Sequence, residues 1–207
     1  MLMKRFKGTK GIILLVAIVI LIVGYYHYLS NRRTASRDNT EYEVMTRVQE
    51  VLSRNLETYY PATPREVVRY FSDITQCFYN EEYSDDELYQ MAIKIRGIYD
   101  DKLVQNQTEE EYLEQLKKDI ADFKENNRTI SSYSLPSTVD VETYQMDGDE
   151  WARLYCLYSI KEGVLVNSNM RFLLRRDAEG HYKIYGWELV KNADQEALVP
   201  ADASVSP

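Results

Sequence analysis

The spacing of apolar residues changes once along this chain, after Asn127, and this change constrains the fold more than any other feature. Before it, apolar residues recur every three or four positions, which is the period of an amphipathic helix. After it, apolar and polar residues alternate, and β-branched and aromatic residues dominate, which is typical of strands. Helices followed by strands predict an α+β domain in which helices pack on a curved antiparallel sheet.

Four helical segments are predicted in the first half of the domain. The first runs from Glu41 to about Tyr59. Each of the others begins at a Ser or Thr followed three residues later by Glu, a pair that satisfies exposed backbone amides at a helix start. The acidic residues near Ser84 lack the alternating oxygen ligands and central Gly of a calcium loop, so no metal site is predicted. The three start signals lie at Thr63, Ser84 and Thr108.

Strands of the second half are predicted to pair with their neighbours along the chain, as an antiparallel meander. Tight turns between them are marked by an acidic residue followed by Gly. Gly186 lies inside the last strand, which is typical of a bulge, so the faces of Tyr185 and Trp187 stay open. The strands are predicted near residues 129–135, 138–146, 150–161, 164–176 and 181–190.

An uncharged stretch of nineteen residues, Gly11–Leu29, precedes this domain. As a helix it would reach about 28 Å, close to the thickness of a hydrocarbon core. Basic residues before it and tyrosines at its end are typical of a membrane anchor whose N-terminus is cytoplasmic. A cleaved signal peptide is the alternative, although its apolar core is normally shorter and followed by small residues.

The predicted organisation is therefore a single-pass protein of the cell membrane, with its C-terminal domain outside the cell. Its parts are a cytoplasmic leader (1–10), a transmembrane helix (11–29), a linker (30–40), an extracytoplasmic domain (41–192) and a disordered tail (193–207).

The charge balance excludes one class of partner. The chain carries a net charge of −8, and its N-terminal leader holds part of the basic residues. Nucleic-acid binding normally needs a basic surface, so no nucleic-acid partner is predicted.

The two cysteines, Cys77 and Cys156, both fall on apolar stripes. A thiol there behaves as a small buried hydrophobe, which favours two free cysteines. An exported domain would also permit one disulfide between them.

Strict alternation divides the last three strands into two faces. One face is apolar and is predicted to seat the helices. The other is basic and aromatic, and Trp, Tyr and Arg are the residue types enriched at binding hot spots. We predict that this second face binds a protein partner or forms a homodimer, the alternative being an ordinary solvated face. Its candidate residues are Trp151, Arg153, Tyr155, Arg171 and Arg175.

Two segments resemble the nuclear transport factor 2-like cone fold. They are Thr63–Phe71, as the opening helix, and Arg171–Leu189, as the closing hairpin. The whole chain, anchor included, resembles an uncharacterised family of small single-pass surface proteins from Gram-positive anaerobes. The resemblance implies three helices laid across a curved sheet, on a scaffold that hosts enzymes, binding modules and assembly subunits.

A cone closed by helices often leaves a hollow, and binding pockets are mostly apolar with a few polar groups. The sequence therefore predicts a small-ligand pocket, the alternative being plain core. No cofactor is predicted. The candidate lining residues are Phe71, Tyr158, Met170, Phe172 and Ile184.

Catalysis has weaker support in the sequence. Enzymes that the chain resembles place an Asp with a His or Tyr inside the cone, but His27 and His181 lie at a membrane interface and a hairpin tip. A carboxylate–tyrosine pair drawn from Tyr70, Tyr158 and Glu188 stays possible. We therefore predict a non-enzymatic binding domain of unknown ligand. The alternatives are an assembly subunit of a membrane-spanning transfer or secretion complex, and an enzyme that uses a carboxylate in the cavity.

Overall fold

The structure is a computed structural model that describes residues 45–190. These residues fall within the unit that begins at Met45 and inside the predicted domain, 41–192. The predicted leader, transmembrane helix, linker and tail all lie outside the described residues. Between residues 45 and 190, no helix is both long and apolar enough to cross a membrane.

Helices occupy the first part of the described chain, and each predicted start signal begins one of them. Ser84 and Thr108 form complete capping boxes with the Glu three residues later. The hydroxyl of Thr63 accepts the amide of Glu66, but the Glu66 carboxylate accepts the amide of Ala62 instead of that of Thr63. The helices are α1 (Arg47–Ser53), α2 (Pro64–Asn80), α3 (Asp85–Arg96), the short α4 (Asp101–Val104) and α5 (Glu109–Glu125).

Helix α1 ends earlier than its apolar period predicts. A capping box of Thr46 and Gln49 starts the helix, and it stops at Ser53. The side chain of Asn55 accepts the amide of Glu57 at 2.9 Å. This local hydrogen bond competes with helical pairing and turns the chain toward α2.

The strands form one antiparallel sheet, and β2 to β5 follow one another as the predicted meander. β1 does not pair with β2 as predicted, because β3 is 14 residues long and pairs with both, end to end. A 3₁₀ helix at Thr138–Asp140 replaces the start of the predicted second strand. The strands are β1 (Thr129–Ser134), β2 (Glu142–Met146), β3 (Asp149–Glu162), β4 (Val164–Arg176) and β5 (Tyr182–Leu189).

The core lies between the sheet and the helices. The register of β3 and β4 places Leu154 opposite Phe172 and Cys156 opposite Met170, so these side chains share the face that the helices cover. Cys77 on α2 and Cys156 on β3 are both buried and free. The prediction of an α+β domain with helices on a curved antiparallel sheet is confirmed, and so is that of two free thiols.

A β-bulge in β5 decides the two faces that the sequence left open. Tyr185 is the extra residue between two successive pairs with β4. Since an inserted residue reverses the alternation, Trp187 lies opposite Phe172 and faces the helices. Tyr185 packs on Trp151 at the other face, with ring centroids 5.0 Å apart.

Candidate functional site

A cavity of about 410 Å³ lies between the sheet and the helices and is partly open to solvent. Its walls come from α2 to α5 and from every strand except β2. Its volume falls in the range of about 300–1,000 Å³ that small-molecule sites occupy.

Three of the five residues predicted to line a pocket line this cavity: Phe71, Tyr158 and Met170. Phe172 and Ile184 are fully buried and lie outside the lining. The Phe71 ring covers Phe172 at a centroid distance of 5.2 Å. The segment at Tyr99 pairs alongside Ile184 and covers it. Alternation identified the correct face of the sheet, but it could not tell core from cavity wall.

Six further aromatic side chains belong to the wall and were missed from the sequence as a ligand site. Tyr79 and Phe123 pack together with ring centroids 4.3 Å apart. Tyr99 contacts Trp187 at 5.5 Å and meets Tyr112 edge to face at 6.3 Å. Tyr112 and Phe123 belong to the apolar stripe of α5, so helical period gave a usable signal for them. Tyr99 lies in the turn after α3, where no period applies.

The phenols of this wall are neutral at physiological pH. Burial raises the pKa of Tyr79 to about 12, and the nearby Asp119 carboxylate adds to the rise. Burial also raises the pKa of Tyr99 well above its ordinary value. A neutral phenol donates a hydrogen bond, so these groups suit ligand recognition better than proton abstraction.

A few polar side chains complete the lining. Gln115 donates to the carboxylate of Asp119 at 2.7 Å, and this carboxylate is exposed. Arg96 is half-buried, with its guanidinium carbon 5.2 Å from the ring centroid of Tyr112. The polar residues of the lining are Thr75, Arg96, Gln107, Gln115, Asp119 and Ser168.

The groups considered for catalysis are not brought together. The Tyr158 hydroxyl lies 2.6 Å from that of Ser72. Tyr70 donates to the carbonyl of Val51 at 2.9 Å and lies outside the cavity lining. Glu188 pairs with Arg171 at the opposite face of the sheet. Within the part of the chain that the structure describes, the cavity lining contains a single carboxylate, that of the exposed Asp119.

The predicted partner-binding residues, here called the arginine face (Trp151, Arg153, Tyr155, Arg171 and Arg175), share one side of the sheet. Their arginines are paired within the chain. Arg153 donates to Glu142 at 2.9 Å, and Arg171 donates to Glu188 at 2.9 Å.

The third pair of the arginine face is bidentate. The Arg175 guanidinium donates to both oxygens of Asp100, each at 2.9 Å, and Asp100 is 3% exposed. Trp151 is buried, and Tyr155 lies half-buried opposite Arg171. The face is therefore close to neutral and not basic as expected, because carboxylates on β2, on β5 and beyond α3 reach it.

One described cluster could offer three metal ligands, at the turn between β4 and β5. Donor atoms of Asp177, Glu179 and His181 lie within 4.8 Å of one another. Asp177 already accepts the amides of Glu179 and His181, at 3.0 and 2.8 Å. The His181 ring stacks on Tyr60 with centroids 4.3 Å apart. These contacts of the turn account for the cluster without an ion.

Comparison with known proteins adds one finding. A family model described as a domain of unknown function (DUF6715) matches residues 1–187. No curated protein matches the chain.

Proposed function

The chain belongs to the DUF6715 family, whose model matches residues 1–187, and we propose its function from the cavity between sheet and helices. The domain binds a small, largely apolar molecule between its sheet and its helices and does not transform it. The observation that carries this proposal is the cavity of about 410 Å³ with a mainly apolar wall, which includes eight aromatic side chains.

Two features support binding over catalysis, and a third supports the presence of a hollow. The aromatic wall offers a large apolar contact area, and its phenols are neutral donors that can orient a ligand. The carboxylate of the described lining belongs to Asp119, which is exposed and already accepts from Gln115. The resemblance of the chain to nuclear transport factor 2-like cones, in which a hollow is common, agrees with this proposal.

The proposal is tested by calorimetry with 2-naphthamide, an uncharged apolar probe. The full chain is held in lipid nanodiscs, and empty nanodiscs provide the blank. Ser168 lines the cavity, so Ser168→Phe should fill part of it and weaken binding at least tenfold. Asn167 is the exposed neighbour outside this lining, so Asn167→Phe introduces the same ring outside the cavity and should bind like the unmodified chain. Equal binding by both variants, or no saturable binding, would refute the proposed function.

We further propose that residues 11–29 anchor this domain in the cell membrane, with the domain outside. The support is the uncharged stretch Gly11–Leu29 and the basic residues before it. Protease added to intact cells should digest the domain, and the mass of the membrane-extracted protein should include the first thirty residues. A mass that lacks them would show cleavage of a signal peptide instead.

A second candidate, an assembly subunit, is favoured by one observation. The hairpin between β3 and β4 exposes three successive apolar residues, Val164, Leu165 and Val166, by 70%, 63% and 50%. Exposed apolar patches mark interaction sites. If the hairpin joins copies of the chain, Leu165→Ser should shift sedimentation toward the monomer. Val139→Ser changes an exposed but isolated apolar residue and should have no effect. A monomer at all concentrations would exclude self-assembly.

A further inference from the structure

Arg96 gives the cavity a charge preference. We infer that the ligand is a small amphipathic anion, an apolar body with one carboxylate, and that Arg96 binds the carboxylate. This inference rests on the proposed function, because it takes the cavity as the ligand site.

Arg96 is a half-buried cation with donors to spare. It is the last residue of α3 and belongs to the cavity lining, with its guanidinium stacked on Tyr112 of the same lining. Its hydrogen bond to the carbonyl of Thr108 measures 3.5 Å, which is long for a charged donor. Among residues 45–190, no carboxylate lies within 4.0 Å of this guanidinium.

Half of the ten arginines among residues 45–190 pair with a carboxylate, and of the five that do not (Arg47, Arg54, Arg65, Arg69 and Arg96), Arg96 alone belongs to the cavity lining. The contrast matters because a guanidinium carries five donors in a planar fork that matches a carboxylate. The guanidinium of Arg96 has no carboxylate partner among the described residues and lies beside a mainly apolar cavity. The arginines that pair with a carboxylate are Arg128, Arg153, Arg171, Arg175 and Arg176.

The positive charge of Arg96 lowers the pKa of two tyrosines in the wall of the cavity. Burial raises the pKa of both Tyr99 and Tyr112, and the neighbouring guanidinium offsets part of the rise in each. The positive charge therefore reaches the phenol groups beside which a ligand would lie. An anion bound there would gain a charge-assisted contact in a partly desolvated site.

The negative group of the lining lies at a distance from Arg96. Asp119 follows Tyr112, on which Arg96 stacks, by seven residues along α5, or about 10 Å of helix. Asp119 is also exposed and engaged by Gln115. The Asp119 carboxylate also raises the pKa of Tyr112, so its charge extends along the same wall. The anion is assigned to Arg96 because this guanidinium has no carboxylate of the described chain within 4.0 Å.

Apolar side chains of the same lining define the rest of the ligand. Ile95 precedes Arg96, and Leu103, Val104 and Leu116 belong to the same lining. A ligand whose carboxylate contacts Arg96 would therefore place its body against aliphatic and aromatic groups. An apolar body with a single anionic group matches both halves of the site.

The inference is tested by comparing 2-naphthoate with 2-naphthamide, which share a shape and differ in charge. The full chain in nanodiscs should bind the acid about tenfold more tightly, the effect expected of one charge-assisted contact. Arg96→Gln should weaken binding of the acid about tenfold and leave binding of the amide within about twofold. Arg69→Gln makes the same charge change outside the cavity and should alter neither affinity.

The outcomes separate this inference from the function on which it rests. Equal binding of acid and amide by the unmodified chain would overturn the inference and leave the binding function standing. Equal weakening of both probes by Arg96→Gln would show that Arg96 acts on the fold, as a cation at a helix C-terminus does. If Arg96→Gln does not fold, Arg96→Lys keeps the charge without the fork and should reduce the preference for the acid. Absence of binding by both probes would overturn both proposals.

Discussion

The two faces of the sheet are stabilised by different interactions. On the face that the helices cover, apolar side chains such as Phe172, Leu174 and Ile184 are completely buried. On the opposite face, arginines pair with carboxylates of the same chain. Apolar burial contributes in proportion to area, whereas an ion pair contributes according to how far it is removed from water. Substitutions on the first face should therefore cost the most stability. On the second face, the cost should increase with the burial of the ion pair.

The arginine face itself contains both kinds of ion pair. The Asp100 carboxylate has a side-chain exposure of 4%, whereas that of Glu188 is 62%. Exposed pairs are screened and contribute little, but removal of one partner from a buried pair leaves an uncompensated charge. Matched substitutions on this one face can therefore measure how the contribution of an ion pair depends on its burial.

The largest effect is expected in the core under the helices. Phe172→Ala should lower the free energy of unfolding by about 3–5 kcal/mol, because it opens a cavity among closely packed rings. Leu157 on β3 is 37% exposed, and Leu157→Ala should lower it by less than about 1 kcal/mol. Urea unfolding of both variants measures the difference. Similar losses would show that the two faces share stability evenly.

The next largest effect concerns the buried ion pair. Asp100→Asn should destabilise the domain by about 2–4 kcal/mol, because the Arg175 guanidinium loses its bidentate partner and keeps only the longer carboxylate contact, with the half-exposed Asp149, at 3.5 Å. Asn still caps the following turn, where Asp100 accepts the amide of Lys102 at 2.9 Å, so the loss reports on the charge. Glu188→Gln should change stability by less than about 1 kcal/mol. A larger loss at Glu188 than at Asp100 would contradict the grading by burial.

Alkaline pH should lower the free energy of unfolding through groups that are buried on the helix side of the sheet. Burial raises the pKa of Cys77 from 9.0 to about 11, so well below pH 9 the thiol is protonated in both states and its contribution is complete. Between these values the unfolded chain loses its proton first, and stability falls as pH rises. The slope from one group is at most about 1.4 kcal/mol per pH unit. Arginines of the other face stay charged over this range.

Unfolding of the Cys77→Ala variant across the same pH range provides the test. Its stability should decline less steeply between pH 9 and 10, with the remaining decline there due to Cys156, whose pKa burial also raises. Above about pH 10 the loss steepens in both proteins, since unfolded tyrosines then lose their protons while burial raises the pKa of Tyr70, Tyr79 and Tyr83 to about 12 in the folded domain. Identical slopes for the variant and the unmodified chain would show that Cys77 does not titrate as its burial requires.

Much of the architecture was predictable because it depends on patterns among residues that are close in the sequence. Start signals at Thr63, Ser84 and Thr108 each satisfy backbone amides within a few residues, so no tertiary context is needed to recognise them. Strand alternation likewise assigned Leu154 and Phe172 to the helix side. The pairing of β1 with β3 was missed, because β3 is long enough to pair with two strands and the local sequence of β1 does not show this.

The candidate site was predictable only in part, for three physical reasons. Period identifies a face but gives no distance between layers, so Phe172 in the core and Met170 on the cavity wall look alike in the sequence. Pairs distant along the chain carry no local signal, which is why Asp100 was not recognised as the partner of Arg175. The face of Trp187 was undecidable for a third reason, since one inserted residue reverses the alternation.

The smallest effect is expected at the bulge that directs Trp187 to the cavity. If the bulge is imposed by packing of the two faces, Gly186 is not required for its conformation. A Cβ at Gly186 would meet no atom within 4 Å, and its φ lies outside the left-handed region. Gly186→Ala should therefore change the free energy of unfolding by no more than about 0.5 kcal/mol.

Gly163 offers the matched comparison, because its φ is 70° at the turn between β3 and β4. Gly163→Ala should destabilise the domain by about 1 kcal/mol, since a side chain is strained in that conformation although space is free. A loss at Gly186 equal to that at Gly163 would mean that glycine itself creates the bulge. Trp187 would then face the cavity because of one backbone position, and not because Phe71, Tyr99 and Phe172 pack around its ring.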